Sequence, residues 1–118
     1  MADTQLTEQK SWRAVHRFAR ISPQKARLVI DMIRGQDCNT AMDLLAFSHQ
    51  RGAMLIRHVL KSAMVNADEQ EADMGRLFVS EARVDGGPYY RRFQPKDRGR
   101  AHPISKRTSH LIVQVAER

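Results

Sequence analysis

Between Pro88 and His110 the chain sets seven basic residues against one acid and interleaves them with aromatics. The run Tyr89-Tyr90-Arg91-Arg92-Phe93 is followed by Lys96, Arg98, Arg100, Lys106 and Arg107. Arginine's planar fork meets phosphate oxygens two at a time and also stacks on bases. Neighbouring aromatic rings add flat apolar faces for those bases. A second block, residues 10–34, again carries seven basic residues and one acid, among them Arg20, Lys25, Arg27 and Arg34. Its Ser22-Pro23 is a helix start, and helix N-termini attract phosphate through free N–H groups and the macrodipole. The chemistry on offer in both blocks is polyanion binding. The plainer reading of the later block is an exposed basic loop whose aromatics pin their own hairpin.

The charge is segregated. Residues 35–82 hold seven acids against four bases, so two basic blocks flank a slightly acidic middle. A surface that only solubilises mixes its signs more evenly. Overall there are 20 Lys and Arg against 13 acids, a net charge of +7 and a pI of about 10.3. That balance points to nucleic acid first and an anionic membrane surface second.

Catalytic patterns are absent from the sequence. The histidines His16, His49, His58, His102 and His110 show no zinc-ligand spacing with Cys38 or with carboxylates. There is no GxxxxGK[ST] loop and no GxSxG elbow. Ser109 and His110 are adjacent on an expected strand, so their side chains point to opposite faces and cannot act as nucleophile and base. These observations argue against an enzyme, a metal site or a cofactor. The single cysteine, Cys38, excludes an intrachain disulfide and fits a reducing compartment. No stretch approaches the ~20 apolar residues of a membrane span, and MADTQLTEQK has neither the apolar run of a signal peptide nor the acid-poor character of a transit peptide.

The elements that must position these residues follow from periodicity. At 118 residues the chain fits one domain. Residues 1–10 read as a disordered lead and 11–118 as a single α+β domain. Residues 11–20 read as a strand. Ser22 can cap a helix with its hydroxyl and Pro23 suits its first position. Ala26, Val29, Ile30 and Ile33 then recur at helical spacing, and Gly35 suits the end. Asn39 or Thr40 can cap a short second helix that buries Ala41, Leu44 and Leu45. A third helix runs from after Ser48 to about Asp68, with Ile56, Val59, Leu60, Ala63 and Ala67 as its core stripe. Strand follows Gly75: Leu77 and Val79, then Ala82 and Val84, with a phase slip that marks a bulge. Residues 104–116 form the last strand.

Two turns compete for the hairpin. Asp85-Gly86-Gly87-Pro88 resembles a tight turn, but Pro88 would have to donate the closing N–H and has none. Gln94-Pro95-Lys96-Asp97 is the better site, with Pro95 in second position. A turn near Lys96 pairs Leu77 with about Val115, giving arms of some 16 to 19 residues. At ~3.3 Å per residue each arm is roughly 50 Å long, against a radius of gyration of ~13 Å for a compact domain of ~100 residues. The distal half, a tip at approximately 88–102 on a hairpin of approximately 77–115, must project. The expected architecture is a three-stranded antiparallel sheet packed by three helices, with a protruding basic ribbon. Such a ribbon also suits an architectural DNA-binding protein that reaches around the minor groove.

Several motifs resemble those of the large ribosomal subunit protein twenty-two family. They are Arg20-Ile21-Ser22-Pro23-Gln24-Lys25-Ala26-Arg27-Leu28-Val29 continuing to Ile33-Arg34-Gly35, then Lys61-Ser62-Ala63 with Asn66-Ala67, Val84-Asp85-Gly86-Gly87-Pro88, Gly99-Arg100-Ala101, and Lys106-Arg107-Thr108-Ser109-His110. They occur in the expected order across residues 12–116. The resemblance implies a cytoplasmic component of the large ribosomal subunit, a domain on the subunit exterior, and a hairpin threading 23S-type ribosomal RNA. It implies contacts with several RNA domains, with neighbouring large-subunit proteins and with the nascent peptide, and a need for the protein in assembly. On this reading RNA contacts fall to Arg20, Ser22, Lys25, Arg27, Arg91, Arg92, Lys96, Arg98, Arg100, Lys106, Arg107 and His110. Tyr90, Arg91, Arg92 and Phe93 would line the peptide exit tunnel.

Overall fold

A computed structural model describes residues 10–95 and 101–118. Of the expected lead at 1–10, residues 1–9 lie outside them. Strand β1 (Ser11–Ala19) leads into helix α1 (Pro23–Ile33), α2 (Cys38–Phe47) and α3 (Arg51–Glu69). A single 3₁₀ turn, Met74–Arg76, precedes the two long strands β2 (Leu77–Pro95) and β3 (Ala101–Glu117). The sheet is antiparallel in the order β1-β3-β2, so the last strand is central. Three helices and three antiparallel strands make the α+β class expected from the sequence.

The helical stripes are core. Ala26, Val29, Ile30 and Ile33 of α1 and Ile56, Val59, Leu60, Ala63 and Ala67 of α3 are buried against Leu77, Val79, Leu111, Val113 and Val115. Each such large side chain contributes roughly 1.5–3 kcal/mol by leaving water. Cys38 belongs to this core, and burial followed by the nearby Asp37 charge pushes its thiol up to about 11. Gly35 ends α1 with φ +80, a conformation that favours glycine, and its N–H donates to Val79 O at 3.1 Å.

Several local expectations need correction. Ser22 occupies the N-cap position of α1, but its hydroxyl makes no cap bond; Pro23 already removes one of the orphan N–H groups. Helix α2 starts at Cys38 with Asp37 as N-cap, so neither Asn39 nor Thr40 caps it. A backbone bridge from Asp37 to Phe78 fixes the chain there and commits Cys38 to the core. The buried members of α2 are Cys38, Ala41 and Leu45, while Leu44, about 100° around the helix from Leu45, is 37% exposed. Helix α3 begins two residues later than its earliest expected position, because Ser48 Oγ accepts the Gln50 N–H and holds that turn outside the helix.

The hairpin register differs in an instructive way. Leu77 pairs with Glu117, and the phase slip between Val79 and Glu81 is a bulge. A second irregularity lies between Gly86 and Tyr89. Gly86 pairs with Ser109, so Gly86-Gly87 is strand and not turn. Each bulge places one extra residue on β2, which moves the reversal towards the C-terminus. Gln94 and Pro95 are therefore strand residues paired with His102 and Ala101, and Pro95 does not sit inside a 94–97 turn. Lys96 and Asp97 lie outside the described residues. The last strand likewise begins at Ala101, before the expected residue 104. The molecule extends 69 Å along its longest axis against 33 and 22 Å on the others, as a projecting ribbon requires.

At the second bulge Gly87 lies flat against β3. A Cβ there would stand 2.5 Å from Thr108 Oγ1 and 3.2 Å from Thr108 O, while a Cβ at Gly86 meets nothing within 4 Å. The Thr108 hydroxyl donates across the bulge to Pro88 O. Gly87→Ala should therefore destabilise the protein by about 1–3 kcal/mol, and Gly86→Ala should be within about 0.5 kcal/mol of wild type. Urea unfolding of both variants checks this; equal effects would contradict the close approach.

Candidate nucleic-acid interface

Two helix N-termini open onto one groove of about 680 Å³. Ser22 and Lys25 bring the first turn of α1, and Gln50, Arg51 and Gly52 bring the first turn of α3. They meet closely because residue 52 has no side chain: a Cβ there would stand 2.9 Å from Ile21 Cδ1 and 3.5 Å from Val29 Cγ2. Neither helix has a side-chain cap, and neither has an acid in its first turn. The macrodipole makes basic residues unfavourable at helix starts, yet Lys25 and Arg51 stand in these two. Arg20, Lys106 and Arg107 complete the basic lining. Among the described residues no carboxylate pairs with Lys25, Arg51 or Lys106. A concentrated positive field with unclaimed N–H donors is a receptor for anionic oxygens.

The strand that carries Lys106 and Arg107 is held to the α1 side by one buried bond. Ser109 Oγ donates to Ile21 O at 2.6 Å, and Ser109 is fully buried. The two basic blocks, about 80 residues apart in the chain, therefore share a single surface at the domain. His110, next along, faces elsewhere: its Nδ1 accepts the Phe18 N–H at 3.2 Å. Ser109 and His110 thus serve different partners. Arg107 also lies over the Tyr89 ring, 5.5 Å from its centroid, where β2 and β3 leave the domain together.

Other basic residues of the first block are turned inward. Arg27 donates from Nε and Nη2 to Val84 O at 3.3 and 3.0 Å, and Arg34 donates in the same way to Ala82 O at 3.1 and 2.8 Å. Arg34 also pairs with Asp31 at 2.6 Å. These bonds satisfy carbonyls along the outer edge of β2. Gly35 N–H and Gln36 O cover the same edge at Val79, so the strand is not left open for pairing with another chain.

Of the residues expected to bind nucleic acid, Arg20, Ser22, Lys25, Lys106 and Arg107 come together in the groove. Arg27 and His110 lie nearby but make the internal bonds just described. Arg91 and Arg92 are strand residues paired with Ser105 and Ile104, and Tyr90 and Phe93 with Lys106 and Pro103. The side chains of these four, and Lys96, Arg98 and Arg100 entirely, lie outside the described residues. Sequence reasoning missed Arg51. Its signal was a base in the first turn of a predicted helix, where the dipole prefers an acid.

A family model described as ribosomal protein L22p/L17e matches residues 14–116. The large ribosomal subunit protein uL22 of Magnetococcus marinus is 53% identical over 104 residues, covering 87% of this chain and 92% of that protein. Its counterpart from Sorangium cellulosum is 44% identical over 103 residues, covering 86% and 92%.

The two sets of cations should separate in stability measurements. Arg27→Ala and Arg34→Ala each remove a charged donor from a carbonyl of the sheet edge and should cost about 1 kcal/mol. Lys25→Ala and Arg51→Ala should leave stability within about 0.5 kcal/mol or raise it slightly, since a base leaves a helix start. Denaturant midpoints of the four variants decide the matter. A large loss from Lys25→Ala would make the groove structural.

Proposed function

The chain belongs to the ribosomal protein L22p/L17e family, a large-subunit ribosomal protein and not an enzyme, and from that premise we propose how it engages the particle. The groove between the starts of α1 and α3 docks the domain on large-subunit ribosomal RNA. It takes backbone phosphates on Lys25, Arg51, Lys106 and the free N–H groups of the two helix starts. The hairpin acts at a distance: it carries Tyr90, Arg91, Arg92 and Phe93, with Lys96, Arg98 and Arg100, into an RNA interior that the domain cannot enter. There its tip lines the peptide exit tunnel and meets the nascent chain. The rest of the domain faces neighbouring large-subunit proteins in the cytoplasmic ribosome.

The observation that carries this reading is the convergence of two basic blocks and two uncapped helix starts on one surface. A phosphate entering there meets directed N–H groups and cations together, and among the described residues no acid pairs with Lys25, Arg51 or Lys106. Membership in a ribosomal family favours RNA over the bent DNA that a basic ribbon would also suit. Among the described residues no helix is long and apolar enough to cross a membrane.

Binding of the full chain to large-subunit ribosomal RNA should weaken steeply with salt. Each groove cation removed, as in Lys25→Gln, Arg51→Gln or Lys106→Gln, should lower the slope of log K against log salt by about 0.7–0.9. Deleting residues 90–98 should leave this docking measurable while altering the RNA footprint at the tunnel wall of assembled particles. Unchanged slopes in the groove variants would contradict the docking site. Loss of all RNA binding on deletion would contradict the division between domain and hairpin.

A further inference from the structure

We propose that Phe18 is a stacking platform for one unpaired nucleobase of the docked RNA, an assignment that rests on the RNA-binding reading above. Strand β1 pairs with β3 as far as His16 opposite Leu111 and resumes at Ala19 opposite Ser109. Arg17 and Phe18 together thus stand opposite His110, and β1 carries a bulge there. Phe18 takes the left-handed conformation, φ +59. For a bulky side chain that is an outlier, and such backbone strain gathers at functional sites.

The ring does not serve the core. Ala19 and Ile21 beyond it are 2% and 8% exposed, whereas Phe18 is 51% exposed. Glycine would form the same bulge without strain, so the bulge itself does not call for phenylalanine. What the structure does is hold the ring still. The Phe18 N–H, displaced from the ladder, is taken by His110 Nδ1 at 3.2 Å. The His110 ring meets the phenyl ring in a T-shaped contact, centroids 5.0 Å apart and planes at 83°. One side of the aromatic is thereby braced while about half of it faces solvent.

The surroundings select the ligand. Arg20 on one side of Phe18 borders the docking groove. Arg17 on the other borders a smaller depression between β1 and α3, together with His16, His58 and Ser62. Phe18 thus stands in the chain between one arginine at each depression, and on the proposed path an RNA strand joining the two would bring its phosphates to those arginines and a base to the ring. A flat apolar ring between cationic flanks matches the alternation of base and phosphate along a single strand. The base must be unpaired, because bases inside a duplex present no free face. Arg17 precedes the ring directly in the chain and Arg20 follows two residues later, which suits an anionic strand better than an apolar partner.

The test uses the full chain and a large-subunit ribosomal RNA transcript. Phe18→Gly should unfold at the same temperature as wild type or higher, because the strain is relieved, yet bind the RNA about tenfold more weakly. Phe18→Leu keeps the bulk without the aromatic face and should lose affinity similarly, which secures the test if the glycine variant unfolds. Phe18→Tyr should bind within about twofold of wild type. A photoactivatable phenylalanine analogue at position 18 should crosslink to a nucleotide in assembled large subunits. Wild-type affinity in Phe18→Gly or Phe18→Leu would overturn the proposal, as would a crosslink to a neighbouring protein. If the wild-type chain failed to bind the transcript at all, the RNA-docking reading would fall together with it. Loss of the Phe18 effect alone would leave docking intact.

Discussion

The bond from Ser109 Oγ to Ile21 O decides where everything else can be. Ile21 O lies in the turn between β1 and α1, outside both elements, and accepts from a side chain. A buried carbonyl without a donor costs about 1–3 kcal/mol, and Ser109 supplies the donor from the central strand. Satisfying that one acceptor fastens β3 to the start of α1 at the point where β3 passes from core to arm. One residue further out, Thr108 donates to Pro88 O and fastens the two arms to each other. Lys106 and Arg107 follow directly, so they must emerge beside Arg20, Ser22 and Lys25. The basic surface is a consequence of closing the core.

That arrangement divides the cations by role. Arg27 on α1 and Arg34 just past its end spend their donors on the outer edge of β2. Lys25 and Arg51 stand in first turns where the dipole disfavours them, and neither first turn holds an acid to offset the cost. The same residue types therefore act as framework in one place and as receptor in another. What each side chain reaches separates the two roles, β2 carbonyls for Arg27 and Arg34 and the groove for Lys25 and Arg51, which charge counting cannot do.

The sequence made the periodic parts legible. Ala26, Val29, Ile30 and Ile33 announced α1, the slip between Val79 and Ala82 announced a bulge, and Pro88 removed the false turn at Gly86-Gly87. These rest on local rules. What stayed hidden depends on pairing across the chain. The second bulge near Gly87 is bridged by Thr108 of β3, and it carried Pro95 from turn into strand. The start of α2 at Cys38 follows from the bridge between Asp37 and Phe78. The strained backbone of Phe18 follows from a one-residue excess opposite His110. The family motifs pointed to RNA and to the hairpin, but Arg51 entered the site only once Gly52 was seen to let α3 approach Ile21 and Val29.

The central claim is that basic residues from both ends of the chain form one docking surface. It is tested most directly by placing a hydroxyl-radical source on a cysteine introduced in turn at positions 25, 51 and 106, and mapping strand scission in bound large-subunit ribosomal RNA. The buried Cys38 thiol, held protonated at neutral pH, should not compete for the label. Overlapping scission from all three positions is the predicted result. Scission in separate RNA elements from position 106 and from positions 25 and 51 would contradict it.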